Sequence, residues 1–160
     1  MITLAHAEPQ DVEAIVALLA ELEGSAGVAV AADAATIRME RVRSALFGAL
    51  PAGRALLAWD DRELAGLAGY QFIWPSTGLT TSLYLKQLYV ASAYRRTGVG
   101  RLMMARLREI AVLSGCTRLE WTADAENEAA RSFYRSVAGS AGASLGAEPL
   151  ETMLFYRVTL

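Results

Sequence analysis

Apolar positions recur every second residue in some stretches and every three to four in others, and this change of period divides the chain into elements. Ile2–His6 reads as a short strand. Pro9 suits a first helical position, Val12, Ile15, Val16, Leu19 and Leu22 follow at helical spacing, and Gly24 ends the pattern. The small-residue stretch 24–33 reads as a loop. A second helix over 34–48 turns Met39, Val42 and Leu46 inward and leaves Arg38, Arg41 and Arg43 on other faces. Residues 54–59 and 63–74 read as a strand pair joined by a turn at Asp60, Asp61 and Arg62. The segment 80–90, TTSLYLKQLYV, is rich in β-branched and aromatic residues and reads as another strand. A polar, basic stretch then leads into a helix over 98–114. That helix is predicted to bury Val99, Leu102, Met103, Leu107, Ile110 and Leu113, with Gly115 as a left-handed cap. A strand over 117–122 follows, then a helix over 127–137 with Ala130, Phe133, Tyr134 and Val137 near one face. Residues 138–149 read as loop with a weak strand near 143–147, and 152–159 reads as the last strand.

The order β-α-α-β-β-β-α-β-α-β implies one α/β (α+β) domain over 1–160. The strand pair joined by a tight turn requires antiparallel pairing, and the later β-α-β unit requires a right-handed crossover between parallel strands. A mixed sheet with helices on both faces follows. Within 80–90, Leu83 and Leu85 share one alternation phase and Leu88 and Val90 the other. An inserted bulge residue would switch phase in this way, and so would a strand buried on both faces.

The apolar fraction of 54% includes much alanine, and no run reaches the roughly 20 apolar residues of a membrane span. No export signal is read at the start, and the single cysteine, Cys116, has no partner for an internal disulfide, which fits a reducing, cytoplasmic setting. A net charge of −2 gives no reason to expect nucleic acid. No cluster has metal-ligand spacing.

The sharpest chemical signal is Arg95-Arg96-Thr97-Gly98-Val99-Gly100, between a strand and a helix, with Arg101 beside it. A helix start offers backbone N–H groups without intrahelical partners and the positive end of the macrodipole. Two glycines let an anion approach those donors, and a diphosphate is the natural guest. A tight loop with a solvated basic rim is the plain alternative. The run is neither GxxxxGK[ST] nor the GxGxxG that follows a first strand.

This loop resembles the R/Q-x-x-G-x-G/A pattern of the GNAT superfamily of acyl-CoA-dependent N-acyltransferases. The preceding LYLKQLYVASAY is similar to the family's central strand, and a second block follows at the expected distance from Asn127 through Phe133 and Tyr134 to Ala138 and Gly139. The resemblance implies a mostly antiparallel mixed sheet whose fourth and fifth strands, the central parallel pair, splay apart around the pantetheine arm of acetyl-CoA. It further implies that the backbone of Leu88, Tyr89 and Val90 bonds the pantetheine. The diphosphate would fall to Arg95, Arg96, Thr97, Gly98, Val99, Gly100 and Arg101, with Asn127 and Phe133 beside the cofactor.

Transfer of an acyl group to a primary amine needs a neutral amine, a polarised carbonyl and a proton for the leaving thiol. A fixed backbone N–H near 88–90 suits the carbonyl. Tyr134, at the family's tyrosine position, is the candidate general acid: a phenol with a reference pKa of about 10 keeps its proton at neutral pH. A core aromatic is the plain reading of Tyr134, as a helix N-cap is of Asn127. Many relatives carry acids on the fourth strand, where this chain has Lys86 and Gln87. An alkylamine is neutral only about one time in a thousand at pH 7. Glu120, Asp124 or a water chain therefore remain open as the base. His6 and Cys116 read as structural, and Trp59, Trp74 and Trp121 as core or site walls.

The acceptor is a small-molecule or peptide amine. Arg38, Arg41 and Arg43 would favour one bearing a carboxylate, whereas Asp124, Glu126 and Glu128 would favour a polyamine. A protein lysine or N-terminal acetyltransferase and a non-catalytic acyl-CoA sensor are the rival readings. Exposed strand edges are compatible with a homodimer.

Overall fold

The computed structural model describes residues 1–25, 27 and 35–138. The predicted strands near 143–147 and 152–159 lie outside them. The chain divides into two compact units, Met1–Thr122 and a second beginning at Ala123.

The first unit holds a five-stranded sheet in the order β1-β2-β3-β4-β5, formed by Ile2–His6, Arg54–Asp60, Glu63–Ser76, Thr80–Val90 and Arg118–Trp121. The first three pairings are antiparallel and β4–β5 is parallel, as the turn and the crossover require. A 3-10 turn at Pro9–Asp11 opens α1 (Val12–Ser25), and the Glu8 N–H donates to Asp11 Oδ2 at 2.8 Å to fix that entry. Next comes α2 (Ala35–Phe47), and α3 (Val99–Leu113) forms the crossover from β4 to β5.

Register explains how one sheet serves helices on both faces. Leu67 lies opposite Tyr89, and both share a core with Leu57, Ile15 and Leu18 of α1, against which Val42 and Leu46 of α2 also pack. Gly66, one residue earlier on β3, faces the other way. A Cβ there would lie 3.0 Å from Met103 Sδ and 3.4 Å from Val99 Cγ1, so α3 sits on that face.

α3 buries Val99, Met103, Met104, Leu107, Ile110 and Ala111. Leu102 and Leu113 were expected among them but are 44% and 80% exposed. At 3.6 residues per turn they fall roughly 110–130° from the middle of the buried stripe. Gly115 takes the expected left-handed cap, φ 72°, and the Cys116 N–H donates back to the Ala111 carbonyl at 2.9 Å. Trp74 also departs from expectation. It is 67% exposed where β3 approaches its turn into β4, its indole N–H donating to the Leu79 carbonyl. β3 runs on to Ser76, and Trp74 lies near that end, at the break in register with β4 between Ile73 and Ser76.

In the second unit the described part is a turn followed by α4 (Glu128–Ala138). Val137 is buried and Ala130, Phe133 and Tyr134 are half-buried, as the predicted face requires.

Candidate functional site

The bulge suggested by the phase change is present. Gly69 lies opposite Gln87 and Tyr70 opposite Leu85, which leaves Lys86 as the extra, exposed residue of β4. Parallel pairing with β5 runs from Ser82↔Arg118 to Leu85↔Trp121 and stops at that point. Among the described residues, β4 from Lys86 to Val90 therefore pairs with β3 alone, and its other edge has no β5 partner. A bulge bends and twists its strand, which accounts for the parting of two strands that begin side by side. Backbone groups alternate between the two edges of a strand, and the Ala91 N–H bonds β3, so of the residues expected to bond an extended ligand arm Leu88 and Val90 turn to the open edge while Tyr89 turns to Leu67 of β3.

Beyond Val90 the chain is tightly held. The Ala91 N–H donates to the Ala65 carbonyl at 2.9 Å, and a 3-10 turn at Ser92–Tyr94 follows. The Tyr94 phenol donates to Glu63 Oε2 at 2.7 Å, and Thr97 Oγ1 donates to the Tyr94 carbonyl at 2.6 Å. That carboxylate pushes the Tyr94 pKa up to about 12, because loss of the proton would set two anions side by side. Arg96 and Gly98 both adopt left-handed backbone, φ 67° and 95°. The first intrahelical bond of α3 runs from the Leu102 N–H to the Gly98 carbonyl at 3.0 Å. The amides of Val99 and Gly100 thus stand ahead of the helical ladder, with the macrodipole's positive end behind them.

Gly98 tests the fit of an anion at this loop. A Cβ built there meets no atom within 4 Å, so its freedom from a side chain serves no protein contact. Open space at Gly98, helix-start amides ahead of the first intrahelical bond, no acidic residue in the first turn of α3 and an exposed Arg96 suit a diphosphate in shape and sign.

Arg95 takes a different place from the one expected. Its side chain folds back toward β4: Nε donates to the Val90 carbonyl at 3.3 Å, Nη2 donates to the Tyr89 hydroxyl at 3.1 Å, and the guanidinium lies 5.5 Å from the Tyr89 ring centroid. Only its main chain belongs to the loop. The Tyr89 hydroxyl in turn donates to Glu21 Oε1 of α1 at 3.1 Å, and the same oxygen accepts the Ser92 N–H at 2.8 Å. These bonds, the Ser92 amide foremost, hold the Glu21 carboxyl below the usual carboxylate range. Sequence reasoning missed Glu21. Helical spacing places it at the border of the Ile15, Leu18 and Leu22 stripe, where a glutamate looks like any solvated surface residue.

Of the remaining expected residues, all but Glu120 lie in the second unit. Asn127 caps α4, its Oδ1 accepting the Ala130 N–H at 3.0 Å. Phe133 and Tyr134 pack edge to face at 5.2 Å, and burial pushes the Tyr134 phenol up, so it is protonated at neutral pH. Asp124 Oδ1 accepts the Glu126 N–H at 2.9 Å and so shapes the turn before the helix. Glu128 pairs with Arg135 and Arg131, and Arg135 foremost lowers its pKa. Of the two candidate bases, Glu120 lies on β5 opposite Tyr84. Between α1 and α2, Val16, Leu19, Glu23, Arg38, Arg41 and Val42 line a cleft in which Arg38 pairs with Glu23 at 2.8 Å. Among the described residues no three His, Cys, Asp or Glu side chains gather as a metal site, and no helix is long and apolar enough to cross a membrane.

Comparison with known proteins gives this geometry a context. The family model for the acetyltransferase (GNAT) family matches residues 21–139. The human spermidine/spermine N(1)-acetyltransferase-like protein 1 is 30% identical over 139 residues, covering 82% of this chain and 19% of that protein. The Caenorhabditis elegans thialysine N-epsilon-acetyltransferase is 31% identical over 81 residues, 51% of this chain and 50% of that one. The chain thus spans about a fifth and about half of the length of these two curated relatives. An integron cassette protein from the mobile metagenome of V. cholerae superposes with a TM-score of 0.82 at 25% identity, over 99% of this chain and 92% of that one. The aminoglycoside N-acetyltransferase AAC(6')-Iy, solved in complex with CoA, superposes with a TM-score of 0.75 over 100% and 96% of the two chains, and at 15% identity it speaks for the fold alone.

Proposed function

Since the chain belongs to the acetyltransferase (GNAT) family, we propose that it transfers an acetyl group from acetyl-CoA to a primary amine, by direct attack in a ternary complex. One observation carries this reading: a β4 edge without a strand partner among the described residues runs directly into a loop whose glycine, Gly98, borders open space at a helix start. An extended thioester with a diphosphate at its far end matches that sequence of features.

Acetyl-CoA, when bound, supplies the acyl group as an activated thioester. The chain's own residues do the rest. Main-chain groups of Leu88 and Val90 align the arm, and a β4 amide donates toward the carbonyl oxygen, where negative charge gathers. The loop 95–101 grips the diphosphate mainly through its main chain, with the exposed Arg96 adding charge. Tyr134 is the proton donor, assigned by the family resemblance and supported by a phenol that burial keeps protonated. Asn127 caps the helix that carries it. The base is Glu120, Asp124 or water. Asp124 is already engaged in its turn, which favours the other two.

The acceptor class follows the relatives' names, which point to polyamine and amino-acid-like amines. Calorimetric titration with acetyl-CoA tests the cofactor site, and a thiol-release assay across a panel of polyamines, amino-acid side-chain amines and peptides tests the transfer. Micromolar binding with thiol release on one amine class supports the reading. Binding without release on any amine points to a sensor, and the absence of binding refutes the proposal.

A further inference from the structure

We propose that Glu21 is a positioning residue for the diphosphate: it fixes the turn after β4 and the Arg95 side chain in the arrangement that leaves the loop amides open to the ligand. The inference rests on the reading of that loop given above.

A single oxygen, Glu21 Oε1, accepts from two donors that precede the loop from different directions. The Ser92 N–H fixes the backbone just past the end of β4. The Tyr89 hydroxyl, on a residue only 7% exposed, fixes the end of β4 itself. Tyr89 then passes the constraint on, because its hydroxyl accepts from Arg95 Nη2 and its ring lies beneath the guanidinium. The contacts run carboxylate, phenol, guanidinium: the neutral hydroxyl donates to the anion and accepts from the cation, so the arrangement has a preferred direction.

Remove the carboxylate and two consequences follow. The Ser92 amide loses its acceptor, and the 3-10 turn loses its tie to α1. Arg95 loses the partner that fixes the phenol beneath it and becomes free to lean toward the loop amides or into solvent. Both changes loosen the segment that must be rigid when a diphosphate arrives, so ordering it again is charged against binding. Glu21 touches neither the expected ligand nor the reacting atoms. Its effect therefore falls on cofactor affinity and leaves turnover alone.

Titrating coenzyme A calorimetrically into the wild-type chain and into Glu21→Ala, Glu21→Gln and Tyr89→Phe tests this, with Tm measured for each. We expect Glu21→Ala to bind about fivefold more weakly, as the loss of roughly 1 kcal/mol implies. Glu21→Gln keeps an acceptor oxygen for the Ser92 amide but not the charge, and should lose about twofold. Tyr89→Phe should lose affinity too, and the Glu21→Ala/Tyr89→Phe double variant should lose less than the two single losses combined. With an acceptor amine in hand, the KM for acetyl-CoA should rise by the same factor while kcat holds. Wild-type affinity in Glu21→Ala, or a fall in kcat with the KM unchanged, overturns the inference while leaving the proposed function standing. Failure of the wild-type chain to bind coenzyme A instead removes the reading beneath it.

Discussion

Gly98→Ala and Gly115→Ala form a matched pair that separates the cost of backbone strain from the cost of blocking a ligand. Both glycines hold left-handed backbone, at φ 95° and 72°, and a Cβ at either meets nothing within 4 Å. They flank the two ends of the same helix, α3. The strain of an L-residue in this region is about 1–2 kcal/mol at each site. For a chain of 160 residues that corresponds to a fall in Tm of about 2–8 °C. So far the two variants are alike. Only Gly98 lies where the diphosphate is proposed to sit, and a methyl group there pushes it away from the Val99 and Gly100 amides. Coenzyme A should then bind at least tenfold more weakly to Gly98→Ala, a loss of about 1.4 kcal/mol, while Gly115→Ala binds as the wild type does. Scanning calorimetry gives the first quantity and titration calorimetry the second. Equal affinities in the two variants at equal Tm would refute the assignment of this loop as the anion site.

Other expectations follow from single contacts. Tyr134→Phe should lower kcat about a hundredfold with little change in the KM for acetyl-CoA, as loss of a general acid does, and steady-state kinetics at saturating amine measures it. Gly66→Ala places a Cβ 3.0 Å from Met103 Sδ and 3.1 Å from the Tyr89 carbonyl, so α3 or β4 must shift. Overpacking of this kind costs about 1–3 kcal/mol, and a denaturation midpoint equal to the wild type's would contradict it. Tyr94 titrates at about 12 in the folded chain and near its ordinary value of about 10 when unfolded. Its bond to Glu63 therefore contributes in full below pH 10 and is lost as the pH rises from about 10 to 12. The stability gap between the wild type and Tyr94→Phe should close over that interval in denaturation series run at successive pH values.

Much of the candidate site's local structure was legible in one sequence because its parts are local. A basic run with two glycines between a strand and a helix fixes a loop and a helix start without any distant contact. The phase change across Leu85, Lys86 and Gln87 announces the bulge for the same reason, since an extra residue shifts alternation within its own strand. The direction of the Arg95 side chain was not legible because charge alone says nothing of direction; the phenol and carbonyl that hold it lie five or six residues back. Leu102 and Leu113 were misplaced because the centre of a helix's buried stripe depends on where the sheet lies.

By itself, then, the amino-acid order determined which of the described segments are strands and helices, their antiparallel or parallel pairing and the place of the glycine loop between β4 and α3. These are properties of periodicity, turn residues and chain connectivity. Tertiary structure alone decided that β5 leaves β4 at the bulge, that Arg95 turns back onto Tyr89, and that Glu21, 68 residues before Tyr89 along the chain, completes the anchor. The Glu21 contact comes into being only when the chain closes on itself, and no local pattern encodes it; the turn of Arg95 depends on the phenol that this contact holds.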